Sequence, residues 1–138
     1  MVNEMALMHS ALWCSAVGLM AWSASALLGV GFLIQDRNLR TGHFGVLFQA
    51  LPSVSALGTW GRRWMLVGHA ALGAALVFWW PAAWGWAEVM ALAWWCWSAW
   101  VIGEDLGAGW RGRRSVARAL VGFAQLAVLV VAWSLSAL

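Results

Sequence analysis

The chain of 138 residues contains no tyrosine, no lysine and little charge of either sign, 9% in all. Together with 64% hydrophobic residues and a mean hydropathy of +0.78, this excludes a single water-soluble globular domain, which is about a quarter charged and about half apolar. Without lysine, all positive charge is arginine, and eight arginines against five acidic residues leave a net charge of +3. There are only two cysteines, Cys14 and Cys96, each inside an apolar run and in no C-x-x-C spacing. Buried thiols packing as small hydrophobes are expected, in place of a metal or redox pair. The amino terminus has Glu4 and no basic residue, and its apolar stretch runs past Ser23-Ala24-Ser25-Ala26 to Ile34, so a cleaved signal peptide is not expected. There is no Ser/His/Asp constellation, no phosphate-binding glycine loop and no pair of carboxylates within an apolar run. Hydrolysis and phosphoryl transfer therefore have no residues to carry them. No internal repeat or linker divides the chain.

What is present is a series of apolar runs separated by short charged stretches. Crossing ~30 Å of hydrocarbon at ~1.5 Å per residue takes roughly 20 residues. The runs 6–34, 64–80, 85–103 and 116–137 meet or approach that length, so the sequence predicts an all-α integral membrane protein with four transmembrane helices. The first run exceeds what a crossing needs, which implies a tilted helix or ends that project into the headgroups. Small residues recur at helical spacing in the first run (Ala21, Ser25, Gly29) and the second (Gly68, Ala71, Ala75), a pattern suited to close helix packing.

The arginines fall into two groups: Arg37, Arg40, Arg62 and Arg63 between the first two runs, and Arg111, Arg113, Arg114 and Arg118 after the third. By the positive-inside rule both groups face the cytoplasm and both termini lie on the outer side of a bacterial-type cytoplasmic membrane. Orientation and phospholipid headgroups account for all eight, so no nucleic-acid partner is expected. The stretch 44–52 is too short to cross and Pro52 can open a helical turn through Leu57, so the loop of about 35–63 is expected to hold an interfacial segment along the inner surface.

The 14 tryptophans are concentrated. Trp79, Trp80, Trp84 and Trp86 place four indoles in eight residues around the outer turn, and Trp94, Trp95, Trp97 and Trp100 continue down the third run. An interfacial belt explains the first set in part. The deeper set must pack against helices, lipid or a flat ligand, since indoles stack and bury large apolar area. Of the three histidines, His9 stands near the outer end of the first run, level with this turn. His69 is ~16 Å below the outer surface, counted back from Trp80 at 1.5 Å per residue, so one metal ion could hardly take both. His43 reads as a solvated residue of the inner loop. Glu88 is the carboxylate nearest the turn besides Glu4; it can be solvated, orient a ligand or pair with His9. Glu104 and Asp105 face Arg111, Arg113 and Arg114 as a surface ion-pair cluster.

Three ordered segments carry a family resemblance. Gln35-Asp36-Arg37-Asn38-Leu39-Arg40 followed by Leu51-Pro52-Ser53-Val54-Ser55-Ala56-Leu57 is similar to a helix ending Gln-Glu-Arg-x-Leu-Lys and then Leu-Pro-x-Leu-x-x-Leu. Trp84-Gly85-Trp86-Ala87-Glu88-Val89-Met90-Ala91-Leu92-Ala93-Trp94-Trp95 resembles the signature Trp-x-Trp-Asp-Pro-Lys-Glu-Val-x-Ala-Leu-x-x-Trp. Gly109-Trp110-Arg111-Gly112-Arg113-Arg114 with Gly122-Phe123 resembles the loop and helix start that follow it. Over about residues 9–123 the chain thus resembles the cytochrome c assembly family, the haem-handling membrane proteins that include HemX-like members.

The resemblance implies haem held at the outer face for delivery to apocytochrome c. His9 would be an axial ligand to the iron, Trp84 and Trp86 the stacking surface, and Glu88 an accessory group. Two departures bear on this. Only Ala87 stands where the signature has Asp-Pro-Lys, and no second outer histidine follows the tryptophan segment. The chain therefore looks like a shortened relative whose second ligand comes from a membrane protein partner or a second copy. The alternative expectation is a non-enzymatic accessory subunit of a respiratory or photosynthetic complex that has lost haem. A small-molecule exporter is disfavoured, because the first two runs hold no carboxylate for a translocation path.

Overall fold

The computed structural model describes residues 2–42, 45–79, 85–108 and 113–136. Among them are five helices and no strand: α1 (Val2–Thr41), the short α2 (Val46–Ala50), α3 (Val54–Trp79), α4 (Trp86–Ala108) and α5 (Arg113–Ser136). The all-helical expectation holds. By length and apolarity, the stretch Met5–Thr41 of α1 suffices to cross a membrane, while Val116–Val131 of α5 is apolar but shorter.

Helix ends differ from the apolar runs for local reasons. Helix α1 continues past 34 because its polar tail supports itself: the Asp36 carboxylate accepts from Arg40 Nε at 3.1 Å, one turn on, and Thr41 Oγ1 donates to the Arg37 carbonyl. Gly42 then ends it with φ of 68°, a left-handed conformation that glycine adopts without steric cost. Helix α3 starts at Val54, ten residues ahead of the second apolar run. Ser53 caps it, its Oγ accepting from the Ala56 N–H at 3.3 Å, with Pro52 just outside. The turn expected after Pro52 is thus the first turn of α3, and Leu57 there is buried against α1. Of the expected interfacial segment, α2 is the separate piece.

The long helices run antiparallel in chain order. The α1–α3 interface is the most extensive, and small residues make it: Gly18, Ala21, Ser25, Gly61, Gly68 and Ala75 are all buried. A Cβ placed on Gly68 would lie 2.6 Å from Trp22 Cδ1 and 3.1 Å from the Gly18 carbonyl oxygen. Ser25 Oγ donates to the Gly61 carbonyl at 2.9 Å across the same contact. Gly29, from the same sequence stripe, serves another neighbour, with Val116 of α5 against it.

Trp22 sits in the notch left by Gly68, meets Trp94 of α4 edge-on at 5.4 Å between centroids, and touches the Gly122 position of α5. One indole thus joins four helices, and its N–H has no hydrogen-bond acceptor among the described residues. A second cluster, Phe32, Leu57 and Val116, closes the opposite end.

These pairings also set a common level. Ser25 to Gly29 of α1 lie beside Gly61 of α3 and Val116 of α5, and Glu104 of α4 accepts from Arg118 at 2.9 Å. Arg62, Arg63, Glu104 and Arg118 therefore share one cross-section. From there α1 extends a further ~18 Å to Thr41, at 1.5 Å per residue.

Gly68→Ala should lower the unfolding temperature in detergent, overpacking costing about 1–3 kcal/mol. Gly103→Ala, where nothing lies within 4 Å, should be neutral or slightly stabilising.

Candidate functional site

His9 is exposed on α1, and its Nδ1 lies 2.8 Å from the Met5 carbonyl oxygen. A carbonyl only accepts, so Nδ1–H donates in this hydrogen bond, and in the neutral ring the lone pair is then on Nε2. This is how a metal-ligating imidazole is commonly held: one nitrogen fixed to the backbone, the other free to coordinate. Met5, Met8, Leu12 and Trp13, at one or three to four residues from His9, are all exposed around it. Large apolar side chains surrounding an imidazole suit the face of a flat, apolar ligand.

The direction of His9 is set by helix geometry. Ala11, Gly18, Ser25 and Phe32 form the buried line of α1, and at ~100° per residue His9 lies roughly half a turn round from Gly18. It points away from α3 and α5, against which α1 packs. Trp86, the first residue of α4, is exposed at the same end of the bundle, but α4 packs on α3 and α5 and stands diagonally from α1. The structure therefore does not bring His9 and Trp86 onto one face of a single chain. Trp84 lies outside the described residues, as do His43 and the side chains of Glu88 and Glu4.

The second histidine is engaged differently. His69 of α3 stacks on Trp95 of α4, with centroids 4.7 Å apart and planes 9° from parallel. Trp95 Nε1 donates to the His69 carbonyl at 3.1 Å, and Ser98 Oγ is 3.1 Å from His69 Nδ1. Ser98 also donates its single hydroxyl proton to the Trp95 carbonyl at 2.9 Å, so both contacts are satisfied together only if His69 Nδ1–H donates to Ser98. Gly73 makes room: a Cβ there would be 2.9 Å from the Trp95 ring. This polar clamp ties α3 to α4, and sequence reasoning missed it, treating His69 only by depth. Its register places it beside Gly18 and Trp22, ~14 Å further along the bundle than His9 at 1.5 Å per residue, as the sequence count implied.

Helix packing accounts for most tryptophans of the third run. Trp94 is buried and donates to the Gly122 carbonyl at 3.1 Å, Trp95 is in the clamp, and Trp97 contacts the Gly122 position. Trp100 is exposed. Two expectations need correction. Cys96 is exposed and Cys14 only partly buried, because α4 turns Trp94 and Ser98 inward and leaves Cys96 on the other side; both thiols are free. Glu104 pairs with Arg118, one level down the α4–α5 contact, whereas the Asp105 side chain, Arg111 and the Arg113 side chain lie outside the described residues. Among the described residues no three His, Cys, Asp or Glu side chains gather as a metal site. No family model, curated protein or solved structure matches the chain.

Ser98→Ala should leave His69 Nδ1 without its acceptor. The expected cost is about 0.6 kcal/mol and at most ~1.7, the range for hydrogen bonds between helices in lipid. Nitrogen NMR of the imidazole should show the Nδ1–H tautomer in the parent protein and a mixture in the variant.

Proposed function

We propose that this protein is a four-span bundle of the cytoplasmic membrane that binds or delivers haem at its outer face, as in cytochrome c biogenesis. His9 is the iron ligand. The hydrogen bond of Nδ1 to the Met5 carbonyl carries the proposal, because in the neutral ring it leaves the lone pair on Nε2, among exposed apolar side chains. Haem, if bound, would be held through its iron by His9, and the iron would supply the Lewis-acid centre that takes the imidazole nitrogen. The residues around His9 fit one face of such a group, and Trp86, at the start of α4, stands at the same end of the bundle. Apocytochrome c is the recipient that this reading implies.

The membrane placement draws on the exterior. No charged residue occurs in 5–35, 64–87, 89–103 or 119–138. Leu27 of α1 is 73% exposed, Val77 of α3 69% and Val128 of α5 67%, and Trp100 is exposed on α4. Water would not tolerate so continuous an apolar exterior, and lipid requires it. The arginine level through Arg62, Arg63 and Arg118 marks the inner boundary. On this reading α1 crosses with about residues 5–27, and its remainder stands in the cytoplasm with α2 and the start of α3.

The direction of His9 away from α4 favours a second reading, an accessory subunit that uses the same exterior to dock in a respiratory or photosynthetic complex. One experiment separates them. Purified in detergent and supplied with haemin, the protein should develop a Soret band that His9→Ala removes. A band indifferent to His9 would overturn His9 as the ligand, and no band at all would overturn the haem reading and leave the accessory one.

A further inference from the structure

We infer that the outer face of α3 at Trp60, Arg63 and Trp64 binds one anionic phospholipid of the inner leaflet, with its phosphate on the Arg63 guanidinium. The inference rests on the membrane placement above and is independent of the haem reading. Ion pairing sorts the arginines near the inner boundary. Arg40 is paired with Asp36 and Arg118 with Glu104, whereas Arg63 is exposed and has neither hydrogen bond nor ion pair among the described residues. Arg62, its neighbour, is half-buried on the side of α3 that meets α4, in line with His69 seven residues on. A guanidinium at the edge of hydrocarbon needs acceptors, and a phosphate presents two oxygens that match its planar fork.

The surface around Arg63 suits the rest of such a lipid. Helix α3 meets α1 through Gly61 and Gly68, and α4 through His69 and Gly73. At ~100° per residue, Trp60, Arg63, Trp64 and Val67 therefore fall on the side turned away from both neighbours. Trp60 and Trp64, one turn apart, are both exposed beside Arg63. At the headgroup level an indole covers the glycerol region with its ring and donates its N–H to an ester carbonyl. Deeper in the same direction, Val67, Ala70 and Val77 are exposed, and no charge occurs from 64 to 87, so an acyl chain meets an unbroken apolar track. Charge decides the headgroup. A zwitterionic lipid brings a cation of its own to its phosphate, whereas an anionic one leaves the phosphate to the unpaired guanidinium.

The test titrates the full-length chain, purified in detergent, with dioleoyl phosphatidylglycerol or dioleoyl phosphatidylcholine and counts bound lipid by native mass spectrometry. The first phosphatidylglycerol should be retained at a concentration about fivefold lower than phosphatidylcholine, the attraction of one arginine for an anionic lipid. Arg63→Gln should abolish that preference, and Arg40→Gln, at an arginine already paired with Asp36, should keep it. Replacing Trp60 and Trp64 together by leucine should weaken retention of both lipids. Equal retention of the two lipids by the parent chain, or a preference lowered equally by Arg63→Gln and Arg40→Gln, would overturn the site. Flotation of the parent chain with vesicles of both lipids after an alkaline wash separates this failure from that of the membrane placement. A chain that floats without a lipid preference loses the site alone, and one that does not float loses the placement as well.

Discussion

The fold depends on one close approach, α1 against α3 at Gly18 and Gly68. With backbone atoms there nearly in contact, the space beside Gly68 takes the edge of Trp22, and Trp22 in turn reaches Trp94 and Gly122 on the other two long helices. A larger residue at 68 would push Trp22 out and separate the core of all four. On the proposed membrane placement, small residues are what bring helices together, because in lipid the apolar effect cannot drive association and packing must. The polar contributions are few and point inward: Ser25 to Gly61, Trp94 to Gly122, and the His69, Trp95 and Ser98 clamp.

That economy fixes where chemistry can occur. His69 has one ring nitrogen spent on structure, and its ring is covered on one side by Trp95. His9 uses its Nδ1 on its own helix, so the bundle neither needs it nor shields it. A fixed imidazole with an unengaged nitrogen, at the end opposite to the arginines, contributes little to packing and stays available to a ligand. The tryptophans divide in the same way: Trp22, Trp94 and Trp95 build the core, whereas Trp13, Trp86 and Trp100 face outward.

Much of the fold was legible in the sequence because long apolar runs bounded by charge and glycine are a coarse but strong sign of helices. The helices were legible as apolar runs, and the arginines anticipated that Arg37, Arg40, Arg62, Arg63 and Arg118 would gather toward one end. Helix limits were less so, since the Asp36–Arg40 pair and the Ser53 cap extend α1 and α3 through polar residues that hydropathy ignores. The direction of His9 was legible in principle: Ala11, Gly18, Ser25 and Phe32 repeat every seven residues on the opposite side of α1. Its isolation from Trp86 was not, because that follows from α1 and α4 standing diagonally. The clamp at His69 joins residues 26 and 29 positions apart, and no local pattern announces such a pairing.

The central claim is that lipid surrounds this bundle, with the arginine level inside and the tryptophan turn outside. Single cysteines at positions 83 and 109, introduced into chains with Cys14 and Cys96 replaced by serine, test it directly through a membrane-impermeant thiol reagent applied to intact cells. Labelling at 83 and protection at 109 until the cells are opened is the predicted result. Labelling at 109 from outside, or of neither position before lysis and both after it, would contradict the account.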